Sequence, residues 1–143
     1  MEHHGAGFTL IEIMVVIVVI TLLAALVAPN VFKNLGTARD GTARSQMEML
    51  AAALDAYRLD NGRYPTTEQG LEALWIAPTS DPRTRAWNGP YLRKRVPLDP
   101  WRHAYVYRFP GQETEDRFDL LTYGADGQPG GEGENADISA WDQ

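Results

Sequence analysis

The stretch GFTLIEIMVVIVVITLLAALVA, residues 7–28, decides the architecture of this chain. Residues 13–28 carry no charge, and together with residues 8–11 they reach about the 20 apolar residues that a bilayer-spanning helix needs. A secretory signal peptide places its small-residue cleavage site after the apolar segment. Here the small residues 5–7 come before it, and no Ala-x-Ala site follows. The sequence therefore predicts an apolar helix that stays on the mature protein as a membrane anchor.

Glu12 is the one ionisable residue inside this apolar run. A carboxylate in an apolar helix costs several kcal/mol unless it faces a partner, and the neighbouring residues offer no cation. Two interpretations are open. Cleavage between Gly7 and Phe8 would create an α-amino group one helical turn away, which would neutralise the carboxylate of its own or a neighbouring subunit. Alternatively, Glu12 lies in the headgroup region at one end of the anchor.

A proline follows the apolar run. Pro29 removes one backbone hydrogen bond and clashes with the preceding turn, so we expect a kink or a local opening of the helix there. Apolar residues nevertheless recur at helical spacing from Val31 to Leu54. The pattern predicts one long helix from Phe8 to about Leu59, whose first half spans the membrane and whose second half supports a domain.

Short segments after the helix indicate a small antiparallel sheet. Thr66 and Gln69 form a capping-box pattern that begins a short helix. Apolar and polar side chains alternate along residues 104–109, and a polar turn separates this segment from a second strand-like segment at residues 118–123, so the two segments predict a hairpin. Residues 91–96 predict a third strand. The predicted fold class is therefore α+β, with a long N-terminal helix packed on a small antiparallel sheet.

Composition excludes several classes of function. A net charge of −6 argues against nucleic acid as a partner, and the lack of cysteine excludes a disulfide framework and thiol catalysis. After the helix, the one histidine is His103, and no recognisable serine or carboxylate-pair motif accompanies it. We therefore predict that the chain is not an enzyme and that His103 is structural.

The C-terminal segment is acidic and rich in glycine. Residues 118–143 contain no Lys or Arg, and their glycines allow tight turns that gather oxygen atoms around a cation. A disordered acidic tail is the alternative, but Ile138 and Trp141 would then be left in solvent. We favour an ordered calcium loop. The acidic residues of the segment are Asp119, Asp126, Glu132, Glu134, Asp137 and Asp142.

The hexapeptide Gly-Phe-Thr-Leu-Ile-Glu at residues 7–12 resembles the processing signature of type IV pilins and pseudopilins. The resemblance implies that a membrane-embedded prepilin peptidase cuts after Gly7 and methylates the new N-terminal Phe8. It also implies that Glu12 guides subunit docking in a filament. The leader departs from the family pattern because residues 1–7 carry no Lys or Arg.

Three later segments resemble the major pseudopilins of type II secretion systems. They are residues 61–71, 87–92 and 97–101, and together they extend the resemblance along most of the chain. Arg102 departs from the glycine that this family usually carries after Asp-Pro-Trp.

Residues 121–127 and 130–138 look like the calcium loop of the same major pseudopilins. Calcium would then replace the disulfide that closes the corresponding loop of most type IV pilins. The resemblance implies a ligand set that combines side chains and backbone carbonyls: Asp126, Asp137 and Asn135, the carbonyls of Tyr123 and Ile138, and Glu134 as a further candidate.

The resulting prediction is a major pseudopilus subunit with a leader at residues 1–7, a transmembrane and assembly helix at 8–29, and a periplasmic domain at 30–143 whose calcium loop covers about residues 119–138. It would be a single-pass inner-membrane protein until it polymerises. The implied partners are other copies, minor pseudopilins, the assembly platform and its ATPase, the prepilin peptidase, the secretin and the exoproteins. Two alternatives stay open: a type IV pilin or minor pseudopilin, and a membrane-anchored periplasmic calcium-binding module.

Overall fold

The computed structural model describes residues 7–112 and 114–142, except for the side chains of residues 30 and 32. The predicted leader at residues 1–7 lies outside these ranges apart from Gly7. The chain divides into two compact units, one ending at Thr37 and the other beginning at Ala38. The elements are, in order, helix α1 (Leu10–Asn61), a 3₁₀ helix (Leu71–Leu74), strands β1 (Val106–Arg108) and β2 (Asp119–Thr122), a 3₁₀ helix (Gly133–Asn135) and strand β3 (Ile138–Ser139).

Helix α1 begins and ends close to the predicted bounds. Its C-terminus is closed by Gly62, which has a φ of 76° and donates its N–H to the carbonyl of Arg58 at 2.8 Å. The helix continues without interruption across Pro29, so the local opening expected there is not observed. Proline removes only one N–H from the ladder, and the hydrogen bonds of the flanking turns can keep the helix intact.

One face of α1 forms the centre of the core. Its buried residues recur every three or four positions, the spacing that places side chains on one face of an α-helix. Fully burying a large apolar side chain contributes about 1.5–3 kcal/mol. The buried apolar side chains of this face are Ala43, Met47, Leu50, Leu54 and Tyr57, with Ala53 beside Leu54, and they pack with Tyr105, Tyr107, Phe118, Leu120 and Ile138 from the sheet region.

The sheet is antiparallel, in the order β1-β2-β3. Tyr107 pairs with Leu120, and Thr122 pairs with Ile138. The four side chains are all buried, as expected for strands that turn alternate residues towards the core. The hairpin predicted at residues 104–109 and 118–123 is therefore confirmed, although its strands are shorter than the sequence pattern indicated.

The prediction of a third strand at residues 91–96 is wrong. That segment forms bends, and the N–H of Tyr91 donates instead to the carbonyl of Leu74 at 2.8 Å. Alternation along the segment would place basic side chains on both faces of a strand, so neither face could be buried throughout. The third strand is β3, where Ile138 supplies an apolar side chain to the core.

The capping box is confirmed. The N–H of Thr66 donates to Gln69 Oε1 at 3.1 Å, and the N–H of Gln69 donates to Thr66 Oγ1 at 3.2 Å. The helix that follows is a single 3₁₀ turn, Leu71–Leu74, which begins after Gly70. Gly70 has a φ of 60°, and a residue in this conformation interrupts an α-helix.

Candidate functional site

The predicted processing site lies immediately before α1, in residues without regular secondary structure. Gly7, Phe8 and Thr9 precede the first helical residue, and the side chain of Phe8 is 83% exposed. Gly7 and Phe8, which flank the predicted cleavage point, are both exposed.

Glu12 and Thr9 form reciprocal hydrogen bonds at the start of α1. Glu12 Oε2 accepts hydrogen bonds from the backbone N–H of Thr9 at 2.7 Å and from its hydroxyl at 2.9 Å. In return, the N–H of Glu12 donates to Thr9 Oγ1 at 3.3 Å. This is a capping box, which satisfies helix N–H groups that have no partner in the helix. The carboxylate therefore has polar partners in its own chain while Phe8 is still joined to Gly7.

The first part of α1 is apolar on all sides. It is the one helix, within the residues described, that is long and apolar enough to cross a membrane, and none of its most apolar window is buried. A helix that is hydrophobic all round is stable in lipid or inside an assembly. Leu22, Leu23 and Leu26 are among its exposed residues.

The acidic segment between β2 and β3 forms a hydrogen-bonded loop that contains the 3₁₀ helix Gly133–Asn135. Its two ends are tied together because the N–H of Ala125 donates to the carbonyl of Glu134 at 2.8 Å. A Cβ added to Gly124 would lie 2.6 Å from that carbonyl oxygen, and one added to Gly131 would lie 2.5 Å from the carbonyl oxygen of Asn135. Glycine is therefore required at both positions, and several backbone carbonyls crowd the same loop.

The two aspartates among the predicted ligands each shape a turn of this loop with one carboxylate oxygen. Asp126 Oδ1 accepts the N–H of Gln128 at 3.0 Å, and Asp137 Oδ2 accepts the N–H of Gly130 at 2.9 Å. In each case the second carboxylate oxygen makes no hydrogen bond among the described residues. Both side chains can thus order the loop and still offer an oxygen to a cation.

The other predicted ligands lie at the loop ends and in its 3₁₀ helix. Tyr123 directly follows β2, and Ile138 begins β3 and pairs with Thr122, so the two residues lie at the same end of two paired strands. Asn135 ends the 3₁₀ helix Gly133–Asn135. The Glu134 carboxylate has a different partner, since its Oε1 lies 3.5 Å from Arg39 Nη1 on α1.

The donor atoms that the loop offers are oxygens. Over residues 7–112 and 114–142, no three or more His, Asp or Glu side chains lie together as a group that could hold a metal ion. A cation in this loop would be held by a few carboxylate oxygens together with neutral amide and carbonyl oxygens, which is a ligand type that Ca²⁺ accepts readily. The crowded carbonyls near Gly124 and Gly131 supply such oxygens.

Two family models match the sequence. Residues 3–28 match the prokaryotic N-terminal methylation motif, and residues 30–141 match the family described as type II secretion system (T2SS), protein G. The chain belongs to the type II secretion system protein G family. The family assignment made from the sequence is thereby confirmed.

Relatives in this protein G family match along nearly the whole chain. The type II secretion system core protein G of Pseudomonas aeruginosa is 49% identical, covering 99% of this chain and 98% of the relative. The Vibrio cholerae protein of the same name is 47% identical over 94% of this chain and 90% of the relative. The crystal structure of the major pseudopilin from the type 2 secretion system of enterohaemorrhagic Escherichia coli matches with a TM-score of 0.67 and 42% identity, over 79% of this chain and 95% of that one.

Sequence reasoning missed several residues of this protein G chain that contact the predicted sites. Thr9 was readable, because Thr-x-x-Glu is the capping-box pattern. The contacts of Arg39 with Glu134 and of Arg44 with the carbonyl of Asp142 were not readable, because they join residues that are 95 and 98 positions apart in the sequence. Asp99 is a buried carboxylate beside the loop, and the sequence indicates it only as part of the segment 97–101 that resembles the family.

Proposed function

We propose that this protein is the major structural subunit of a type II secretion pseudopilus. It is held in the inner membrane by the first part of α1 and polymerises in the periplasm after cleavage between Gly7 and Phe8. The observation that carries the proposal is the exposed, apolar first part of α1, residues 10–28, whose single charged residue is Glu12, in a chain of the protein G family.

Assembly would exchange one apolar environment for another. In the membrane the apolar side chains of α1 contact lipid, and in the fibre they contact the same helix of other copies, so the exchange costs little hydrophobic free energy. The charge of Glu12 behaves differently, because a carboxylate among apolar helices needs a cationic partner. The α-amino group that cleavage creates at Phe8 supplies one, and the pairing fixes the axial position of one subunit against the next.

The role proposed is structural, not enzymatic. The fibre would push folded exoproteins through the outer-membrane secretin. A prepilin peptidase, minor pseudopilins, and an assembly platform with its ATPase would act on the subunit during processing and growth. Support comes from the N-terminal methylation motif and from relatives named as core components of the same secretion system.

We further propose that the loop between β2 and β3 binds calcium. The side chains of Asp126, Asp137 and Asn135 and the carbonyls of Tyr123 and Ile138 would hold the ion. Bound there, it would offset the repulsion within a segment that has no Lys or Arg after Arg117. Glu134 is the least favoured of the predicted ligands, since its carboxylate already contacts Arg39.

Complementation tests the proposed function. The gene is expressed in a bacterium whose own protein G has been deleted, and exoprotein in the culture medium is measured by immunoblot. We expect secretion to be restored, and overexpression to give surface fibres that an antibody to this chain labels. If the protein is processed and stable in the inner membrane but neither secretion nor fibres appear, the proposed role is wrong.

A further inference from the structure

A buried carboxylate organises the turn that precedes β1. Asp99 is only 3% exposed, and its Oδ1 accepts the N–H groups of Trp101 at 3.0 Å and His103 at 2.7 Å. A buried carboxylate is costly unless hydrogen bonds satisfy it, and these two bonds use one oxygen fully. They also fix the backbone that carries the His103 ring.

The second oxygen of Asp99 reaches the end of β2. Asp99 Oδ2 accepts the hydroxyl hydrogen of Thr122, which is fully buried. The same hydroxyl oxygen accepts the N–H of Gly124 at 3.2 Å. Asp99 is therefore connected, through one side chain, to the first glycine of the loop for which we propose a calcium site.

His103 holds the same glycine from its other side. Its Nδ1 lies 3.1 Å from the carbonyl oxygen of Gly124, and because a carbonyl can only accept, Nδ1 carries the hydrogen. The ring also lies against Gly127, where an added Cβ would come within 3.2 Å of it. Both backbone polar groups of Gly124 are thus bound, and the turn through Asp126 is supported on the His103 ring.

We propose that Asp99, Thr122 and His103, here called the Asp99 network, position the calcium loop without contacting the ion. This inference rests on the calcium site proposed above. Gly124 has a φ of 67° and, like any glycine, gains much freedom when it is released. Holding its N–H and its carbonyl in place before the ion arrives reduces the ordering that binding must accomplish, and preorganisation of this kind raises affinity.

The alternative is that the network only stabilises the fold. The two roles predict different results, because a purely structural network changes the stability of the calcium-free protein and leaves calcium affinity unaltered. A positioning network changes the affinity, even where the calcium-free stability is preserved. His103 separates the two roles well, since its side chain is 41% exposed and does not belong to the hydrophobic core.

The test compares His103→Leu with His103→Asn in the full chain, in detergent. Asparagine can place its amide N–H₂ near the position of His Nδ1 and so keep the donor to Gly124, whereas leucine removes it. Calcium dissociation constants are measured by titration against a chromophoric chelator, and stability by urea unfolding in EDTA. We expect His103→Leu to weaken calcium binding by about tenfold or more, and His103→Asn to weaken it far less.

Thr122 provides a second pair. Thr122→Ser keeps the hydroxyl that joins Asp99 to Gly124, and Thr122→Val removes it at nearly constant volume. We expect Thr122→Val to lose calcium affinity as well as calcium-free stability, and Thr122→Ser to preserve the affinity. Calcium affinity equal to wild type in both His103→Leu and Thr122→Val would overturn the positioning role and leave the calcium site standing. If the wild-type chain itself binds no calcium, the site proposed above fails and the positioning role fails with it.

Discussion

The carboxylate of Glu12 is bound by both the backbone N–H and the hydroxyl of Thr9, at 2.7 and 2.9 Å. Before cleavage, the Glu12 carboxylate is therefore already hydrogen-bonded within its own chain. The proposed cleavage after Gly7 would place a positive α-amino group on Phe8, the residue next to Thr9. The carboxylate would then have a stronger, charge-assisted partner available, from its own chain or from a neighbouring subunit.

Replacing Glu12 with Gln separates the capping role from the charge. Glutamine keeps a side-chain oxygen that can accept from Thr9, but it cannot form an ion pair with an amine. We expect Glu12→Gln and Glu12→Ala to be cleaved and inserted in the membrane normally, yet to give no fibres and no secretion. Electrophoretic mobility reports processing, and immunofluorescence reports fibres. Normal fibres from Glu12→Gln would show that the charge is not needed for docking.

Two glycines with nearly equal backbone angles test the geometry of the loop. Gly124 and Gly133 have φ values of 67° and 62°, but an added Cβ meets the carbonyl oxygens of Glu134 and Ala136 only at Gly124, at 2.6 and 2.8 Å. Gly133→Ala should cost about 1–2 kcal/mol from its backbone angle alone. Gly124→Ala should cost clearly more, because it also displaces the carbonyls. Urea unfolding followed by tryptophan fluorescence measures both losses, and equal losses would contradict the close approach of the Glu134 and Ala136 carbonyls to Gly124.

Removing calcium should lower the thermal stability of the domain. An ion that binds only the folded chain stabilises it in proportion to the logarithm of its concentration, so chelation lowers the melting midpoint and added calcium restores it. Asp126→Asn and Asp137→Asn should abolish this response. Glu132→Gln, a change at an exposed acidic residue of the same loop, is the matched control and should retain it. Circular dichroism is the readout, and a wild-type midpoint indifferent to chelator would refute the calcium site.

Two buried tyrosines predict a loss of stability at alkaline pH. Burial raises the pKa of Tyr105 and the pKa of Tyr107 well above the ordinary value of 10.0. The folded state therefore favours the neutral phenol. The stability from this preference is fully present below pH 10 and is lost as the pH rises above it, since the unfolded chain then ionises more readily. Urea midpoints at pH 8 and pH 11 should differ accordingly, and Tyr107→Phe should reduce the difference. An alkaline midpoint equal to that at pH 8 would contradict the burial.

Much of the fold was readable from the sequence because it depends on local patterns. Helix α1, the Thr66–Gln69 capping box and the β1–β2 hairpin each follow from residues close together in the chain. Strand β3 was not readable, since a two-residue strand has no periodicity to detect. Its place in the sheet depends on the pairing of Thr122 with Ile138 and on the burial of the Ile138 side chain in the core, and both involve residues far apart in the sequence.

The candidate sites divide in the same way. The processing signature and the acidic, glycine-rich loop are continuous in sequence, so their residues could be named directly. The contact of Arg39 with Glu134 joins residues that are far apart, and nothing near either residue indicates the other. Asp99 looked like one member of a turn motif, and only the structure reveals that its carboxylate reaches Thr122 on another element.

Mass spectrometry of the intact protein, purified from fibres made in a bacterium with a working type II secretion system, tests the central claim most directly. We predict a chain that begins at Phe8 and carries a methyl group on its α-amino nitrogen. Fibres built from subunits that still carry residues 1–7 would contradict it, because no α-amino group would then lie near Glu12.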